Sequence, residues 1–154
     1  MNTLLFTSAS FSFIAMAASD KKRGTGCPIA FALDIFGDRW SLIILRDLIL
    51  RGYKTYSEIL SDKENIATNI LAARLRELER DGIISKEKDP ENRRQNIYRL
   101  TEKGAGLIPA MLEIIQWSAM HDPNTKARRD ILERIHSDRE GLIADLSTKA
   151  LEKI

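Results

Sequence analysis

Cys27 is the only cysteine in the chain, and it stands directly before Pro28 and an apolar segment. Proline suits the first position of a helix, because its fixed φ and missing N–H match that site. The Cys27 thiol would therefore lie at a helix N-terminus, where the helix dipole stabilises a thiolate. The basic residues Lys21, Lys22 and Arg23 would add to that effect. The pattern predicts either a thiol that reacts with quinones, aldehydes or peroxide, or an inert small residue in a helix cap.

Few other residues could bind a metal or catalyse a reaction. One cysteine per chain excludes an internal disulfide and a zinc site built from several thiolates, so a disulfide would have to join two chains or a small thiol. His121 and His136 have no matching cluster of carboxylates or thiols. No nucleophile–base pair or carboxylate pair stands at a useful spacing, so we predict no metal, no cofactor and no enzymatic activity.

Polar residues suited to reading DNA begin the segment 68–81, whose apolar residues recur at helical spacing. Thr68 and Asn69 come first, and the Asn69 amide has the donor and acceptor that pair with adenine. Ala72 is small enough to let a helix approach a thymine methyl. The alternative is that Asn69 is simply a solvated residue of a first helical turn.

Two arginines follow in the same segment, Arg74 and Arg76. Arg74 is a candidate DNA contact, but each arginine has an acid one turn later, Glu77 or Glu79. Side chains at that spacing meet on a helix surface, so we expect one of the two arginines to pair within the helix instead.

A second basic group surrounds a predicted hairpin. Residues 83–88 and 95–100 resemble two strands, and the segment Asp89-Pro90-Glu91-Asn92 is rich in turn residues. Arg93 and Arg94 follow the turn and are the best candidates for minor-groove or phosphate contact. Lys86, Lys88 and Arg99 lie beside them, whereas Tyr98 is expected to pack in its strand.

Helices must position these residues. Asp38 is a predicted cap for a very apolar helix that Gly52 ends, and Thr55-Tyr56-Ser57-Glu58 is a capping box that opens a short helix to about residue 62. Thr55 and Ser57 would lie at the N-terminus of that helix, where hydroxyls and free N–H groups bind phosphate, although Thr55 also has a purely capping role.

The C-terminal part of the chain is predicted to be helical. Thr101 begins a long apolar helix to Met120, with a kink at Pro109, and a final helix starts near Thr125. The order helix–helix–helix–strand–strand–helix is that of a winged helix-turn-helix, with the hairpin as the wing. The apolar residues of 107–120 predict a dimerisation helix, and Trp40 and Trp117 are expected in the core or the dimer interface.

Composition agrees with one soluble domain that has a real core. The chain has 154 residues, of which 44% are hydrophobic and 30% charged, which excludes a disordered protein. A net charge of +2, from 24 basic and 22 acidic residues, excludes a polybasic tail but allows a locally basic surface.

Residues 1–19 differ from the rest, because they are apolar and Ser-rich and contain no charge. We interpret them as a non-globular extension that arises from a mis-assigned start, with translation beginning at Met16. A disordered tail is a second interpretation. A secretory signal is a third, although the positively charged n-region is missing.

Several sequence strings resemble the HxlR family of bacterial winged-helix regulators, whose fold is related to the MarR type. The strings lie in about 27–120 and are Cys27-Pro28-Ile29, Gly37-Asp38-Arg39-Trp40, Tyr56-Ser57-Glu58-Ile59, Leu75-Arg76-Glu77-Leu78-Glu79-Arg80-Asp81-Gly82-Ile83 and Tyr98-Arg99-Leu100-Thr101-Glu102-Lys103-Gly104. The resemblance implies a dimeric DNA-binding transcription factor that responds to electrophiles, oxidants or small aromatic molecules.

Two features depart from that family. Ala67 stands where members usually have Ser, so the segment 68–81 lacks its ordinary N-cap, and we expect Thr68 to replace it. The chain after His121 is longer than the family core.

We therefore predict a mainly α fold with a small β-hairpin wing, a winged helix-turn-helix with extra C-terminal helices for dimerisation. Residues 1–19 would be the extension, 24–120 the HxlR-type DNA-binding domain and 121–154 a C-terminal helical extension. The function would be that of a cytoplasmic regulator, a repressor, that binds double-stranded DNA as a homodimer. Cys27 would sense electrophiles or oxidants, and no membrane partner is expected.

Two rival functions remain. A winged-helix module that binds a protein and not DNA would suit the small net charge, and an exported protein would suit the apolar N-terminus.

Overall fold

The computed structural model describes residues 26–152. The predicted extension 1–19 lies outside these residues. The described part is mainly helical, with a two-stranded antiparallel sheet. No helix in it is long and apolar enough to cross a membrane.

The first four helices include the helix-turn-helix. Asp38 caps the second of them by accepting hydrogen bonds from the backbone N–H groups of Trp40 and Ser41, at 2.9 and 3.0 Å. That helix continues into a wider π-helical turn and ends at Gly52, which has a left-handed φ of 70°. The elements are α1 Pro28–Phe36, α2 Arg39–Arg46, the π-helical turn Asp47–Arg51, α3 Tyr56–Leu60 and α4 Thr68–Arg80.

The hairpin consists of β1 Ile84–Lys88 and β2 Asn96–Leu100, in a register that pairs Ile84 with Leu100 and Lys88 with Asn96. Its second strand also contacts the segment before α3. Thr55 forms an isolated bridge with Ile97, and the Tyr98 N–H donates to the Lys54 carbonyl at 2.7 Å. The wing is therefore joined directly to the start of the helix-turn-helix.

Four helices complete the part of the chain that the structure describes, and both predictions for this part need correction. The segment 101–120, predicted as one long helix, forms two helices, because the chain turns at Gly106. Pro109 therefore lies in the first turn of the second helix and does not kink a continuous one. The predicted final helix is also two, because Asp138 interrupts it and caps the second by accepting from the Gly141 N–H at 3.1 Å. The elements are α5 Glu102–Ala105, α6 Ile108–His121, α7 Arg129–Ser137 and α8 Arg139–Leu151.

One apolar core holds these elements together. It includes Ile44 and Leu45 of α2, which are fully buried, and Leu71 of α4. Helices α7 and α8 contribute to the same core through the buried residues Ile131, Ile135, Leu142 and Leu146. The apolar face of the C-terminal extension therefore packs against the winged helix of its own chain.

A second set of large apolar side chains is exposed. Trp117 of α6 is 62% exposed, whereas Trp40 is half-buried against the core. The end of α1 lies beside α6, since Phe36 and Ile114 line the same small crevice. Most of the exposed set lies on these two helices: Ile29, Leu33, Ile114, Trp117 and Met120.

Candidate nucleic-acid interface

The capping box fixes the start of α3 as predicted. The Thr55 hydroxyl accepts from the Glu58 N–H, and the Glu58 carboxylate accepts from the N–H groups of Lys54 and Thr55, both at 2.8 Å. Burial alone would raise the pKa of Glu58, but these hydrogen bonds outweigh it and lower that pKa. The exposed Ser57 follows in the first turn. Thr55 is thus engaged in capping, and Ser57 is the more accessible of the two predicted phosphate contacts.

An ion-pair cluster, defined here as Arg46, Asp47, Arg51, Asp62 and Glu64, ties α2 to the turn before α4. Asp62 is 5% exposed and accepts hydrogen bonds from both arginines. Arg46 also donates to Asp47 at 2.9 Å and to Glu64 at 3.1 Å. This cluster sets the position of the turn between α3 and α4.

The two buried carboxyls of the ion-pair cluster differ. Burial raises the pKa of Asp47, which is fully buried, and its arginine partners only partly oppose that effect. Burial also acts on Asp62, but the hydrogen bond from Arg51 and the nearby positive charges lower its pKa. Sequence reasoning missed the cluster, since its members are up to 18 residues apart.

The first turn of α4 presents Thr68 and Asn69, both exposed, as predicted for a recognition helix. The prediction that Thr68 replaces the missing cap is wrong. Ala67 is the N-cap residue and Thr68 the first helical residue, and no side chain caps the helix. The Thr68 carbonyl accepts from the Tyr56 hydroxyl at 2.9 Å, which fixes α4 against α3.

Further along α4, the two arginines separate as the spacing suggested. Arg74 is half-buried and pairs with Glu77 at 2.6 Å and with the α2 cap Asp38 at 3.4 Å. Arg76 is exposed instead. Together with the half-buried Ala72, Arg76 borders a shallow cavity of about 160 Å³ that Lys86 and Tyr98 of the hairpin also line. Helix α4 and the wing therefore face one concave surface.

The tip of the wing carries Arg93 and Arg94, both exposed. Neither arginine forms an ion pair with a carboxylate within residues 26–152. The expectation that Arg99 belongs to this basic surface is wrong, because the Arg99 side chain is buried and bonds to the C-terminal end of the described chain. Tyr98 is buried in its strand, as predicted, and burial raises its pKa.

Cys27 occupies the N-cap position of α1, before Pro28, as the sequence predicts. Its backbone carbonyl accepts from the Phe31 N–H at 3.0 Å, and the residue is exposed. It lies on the helix that also carries the exposed Ile29 and Leu33. In the part of the chain that the structure describes, no group of three His, Cys, Asp or Glu residues could hold a metal ion.

Comparison with known proteins identifies the family. The model of the HxlR-like helix-turn-helix matches residues 35–126. The chain belongs to this family. It is 34% identical over 120 residues to the HTH-type transcriptional regulator YybR of Bacillus subtilis, which covers 78% of this chain and 88% of YybR. The protein is therefore an HxlR-like, DNA-binding transcriptional regulator.

Solved structures support the same conclusion for the fold. The oxidised form of the redox regulator HypR matches with a TM-score of 0.55 and 33% identity, over 61% of this chain and 96% of HypR. The reduced form of the transcriptional regulator YodB from B. subtilis matches with a TM-score of 0.53 and 31% identity, over 64% of this chain and 97% of YodB. The winged-helix prediction is confirmed for this HxlR-like chain.

Proposed function

We propose that this HxlR-like regulator binds a pseudo-palindromic operator as a homodimer, with α4 in the major groove and the wing on the flanking backbone. The observation that carries the proposal is that α4 and the hairpin border one concave surface, through Ala72, Arg76 and Lys86. Outside that surface, the first turn of α4 and the two arginines at the hairpin tip are exposed. A dimer that occupies an operator blocks transcription without any further partner, so we propose a repressor. Its place of action would be the cytoplasm, where the DNA is.

Base reading is assigned to the first turns of α4. Asn69 would pair with adenine, Ala72 would meet a thymine methyl, and the Thr68 hydroxyl would contact a neighbouring base or phosphate. The residues that face outward at the start of a recognition helix are the ones that reach base edges.

Backbone contacts are assigned to Thr55, Ser57, Arg93 and Arg94. Arginines on an exposed wing contribute affinity for DNA that does not depend on the base sequence and that falls as the salt concentration rises. Arg74 is a weaker candidate than the sequence suggested, because Glu77 and Asp38 already neutralise it. We assign Arg74 to holding α4 against α2.

The dimer contact is assigned to α1 and α6, whose exposed apolar side chains are unusual for a monomer surface. Helices α7 and α8 bury their apolar residues in the core of the same chain, so they are less suited to the contact. In a two-fold dimer the same faces meet each other, and the two copies of α4 would enter half-sites about 34–36 Å apart.

Cys27 would make the regulator responsive to electrophiles or oxidants, including quinones and small aromatic electrophiles. Two observations support this role: Cys27 is an exposed residue at the N-cap of α1, and α1 is one of the helices assigned to dimerisation. HypR, a similar protein, is described as a redox regulator. Addition of a quinone to the thiolate would enlarge the side chain beside the dimer contact and change the spacing of the two α4 helices.

Selection of genomic fragments on the purified full chain tests this function. We expect enrichment of short fragments with two related half-sites, and footprinting should show both half-sites protected together. Protection of one unpaired half-site, or no enrichment over random DNA, would contradict the proposal and favour the protein-interaction module. Benzoquinone treatment should weaken operator binding by the wild type, and Cys27→Ser should remove that response while leaving untreated binding unchanged.

A further inference from the structure

A cavity of about 280 Å³ lies between the wing strand β2, the π-helical turn and the C-terminal helices. Arg99 and Leu100 of β2 form one wall, and Leu142, Leu146 and Lys149 of α8 form another. The match to the family model ends at residue 126, so α7 and α8 are an addition to the part of the chain that defines the family. The cavity is therefore a feature that this extension creates.

The Arg99 side chain is the most informative wall residue. It is 8% exposed, and its Nη1 donates to the Glu152 carbonyl at 2.7 Å. Within residues 26–152 its Nε has no hydrogen-bond partner, and no carboxylate forms an ion pair with it. Buried arginines are almost always paired with an acid, because an uncompensated buried charge is costly. Among residues 26–152, the wall of this cavity thus holds a cation with no carboxylate partner.

The other cations at the cavity are largely neutralised. Arg128 pairs with Asp130 at 2.5 Å, and Arg134 pairs with Asp145 at 2.8 Å. Arg51 belongs to the ion-pair cluster, and Lys54 lies near Glu58, whose pKa it helps to lower. Lys149 of α8 lines the cavity and forms no ion pair within the described residues. Arg99 and Lys149 are therefore the charges available to an anion.

The cavity also has an apolar part, formed by Leu48, Ile49, Ile131, Leu142 and Leu146, beside the ion-paired Asp130 and Asp145. The volume lies just below the usual lower bound of about 300 Å³ for small-molecule sites, so only a compact ligand fits. A planar carboxylate suits the edge of a guanidinium, and an apolar body suits the leucine wall. A phosphate, which is more highly charged and more strongly hydrated, would leave that wall unused.

We propose that this cavity binds a small organic monocarboxylate with a compact apolar body, whose carboxylate accepts hydrogen bonds from Arg99. Strand β2 connects the site to the wing, since Arg99 is three residues from Asn96 at the wing end of the strand. The ligand is then an effector of DNA binding, a statement that rests on the proposed function. The binding site itself does not depend on it.

Calorimetric titration of the full chain with benzoate, without DNA, tests the site. For a ligand of about nine non-hydrogen atoms we expect saturable binding of one benzoate per chain, with a dissociation constant between about 10 µM and 1 mM. Benzamide, which has the same shape and no charge, should bind at least about tenfold more weakly. Inorganic phosphate and acetate should also be weaker. Absence of saturable benzoate binding, or equal binding of benzamide or phosphate, would overturn the proposal.

Two variants locate the site. Arg99→Gln should weaken benzoate binding at least about tenfold, since it removes the charged donor. Lys149→Gln should weaken benzoate binding by a smaller factor, because it removes one positive charge that attracts the carboxylate. Since Lys149 is on the surface, this variant keeps the test valid if Arg99→Gln does not fold. Lys126→Gln is the matched control, because Lys126 is exposed on the same extension and does not line the cavity. Equal effects of Lys149→Gln and Lys126→Gln would place the ligand elsewhere.

The effector role is measured separately with a genomic fragment that the wild type binds. Saturating benzoate should change the affinity for that fragment at least about threefold, and the fragment should change benzoate affinity by the same factor. Benzoate binding with no change in DNA affinity would overturn the effector role and retain the site. Failure of every fragment to bind would instead count against the proposed DNA-binding function.

Discussion

Two groups of arginines on this HxlR-like protein differ in how they are neutralised. In the ion-pair cluster, Arg46 and Arg51 contact three acids, and two of these acids are buried. At the wing tip, Arg93 and Arg94 are exposed and form no ion pair in the part of the chain that the structure describes. The arginines of the ion-pair cluster have their counter-charges within the chain, whereas the wing arginines assigned to DNA are left for phosphate to neutralise.

The helix N-termini show the same difference. Asp38 caps α2, which is buried, and its carboxylate accepts from two backbone N–H groups and from the Ser41 hydroxyl at 2.5 Å. Ala67 caps α4 with no side-chain acceptor. The recognition helix thus keeps backbone donors free at the end that would face the phosphates of the groove.

The largest expected effect comes from breaking the ion-pair cluster. Asp62→Asn leaves Arg46 and Arg51 with one buried acid between them, so we expect a loss of about 2–3 kcal/mol in the free energy of unfolding. This is below the ~3–5 kcal/mol of a fully buried pair, because both arginines are partly exposed. Urea unfolding followed by circular dichroism measures it.

Glu113→Gln is the control for that measurement, because Glu113 pairs with Arg139 on the surface. Its effect should stay within about 0.5 kcal/mol. If Asp62→Asn were no more destabilising than Glu113→Gln, the ion-pair cluster would not stabilise the fold. The contrast with the wing arginines would then fail.

Removal of the wing arginines should weaken DNA binding and leave the stability of the fold unchanged. Arg93→Ala with Arg94→Ala should leave stability unchanged, weaken binding to every DNA sequence about tenfold, and reduce the salt dependence by about 1.8 in log K per log salt if both contact phosphate. Fluorescence anisotropy at several salt concentrations measures both quantities. An unchanged slope would remove the wing from the interface.

Local signals predicted much of this fold. Asp38, the Thr55–Glu58 box and the strand pair at 84–100 are recognised by residues that contact neighbours in sequence, and each forms as expected. The break at Asp138 was also a local signal, an acid cap followed three residues later by Gly141, but the apolar pattern across 131–146 concealed it.

Distant contacts could not be predicted in this way. Arg99 and Arg93 look alike in the sequence, yet one is buried against α8 and the other is exposed, because burial depends on how the C-terminal helices fold back. The ion-pair cluster and the cavity at Arg99 share this origin. A charge in a strand cannot be assigned to the surface or the interior until the elements packed on that strand are known.

A smaller effect is expected at the base-reading turn. Asn69→Ala should leave salt dependence unchanged and reduce discrimination at one base position by about 1–2 kcal/mol, since one bidentate contact is lost. Selection of randomised operators by wild type and variant measures it as a relaxed preference for adenine at that position. Unchanged preference would show that Asn69 is a solvated residue, the alternative reading of its position.

The smallest effect concerns Asp38, where a carboxylate caps α2 and also pairs with Arg74 of α4. Burial would raise its pKa, but hydrogen bonds from Ser41 and Trp40 and the charge of Arg74 lower it below the ordinary value of 3.8. A carboxyl with a lowered pKa stabilises the fold above its ordinary pKa, and the contribution is lost as pH falls through the lower folded value.

Asp38→Asn keeps a capping oxygen but has no charge, so we expect it to cost about 0.5–1 kcal/mol at pH 7 and progressively less below about pH 4. Urea unfolding of the wild type and the variant at pH 7 and at pH 3 gives the difference in their free energy of unfolding at each pH. A cost that is the same at both values would mean that the charge contributes nothing and the cap geometry everything. The paired arginine of α4 would then be held by Glu77 alone, and Arg74 would be a better candidate for DNA contact than its ion pairs suggest.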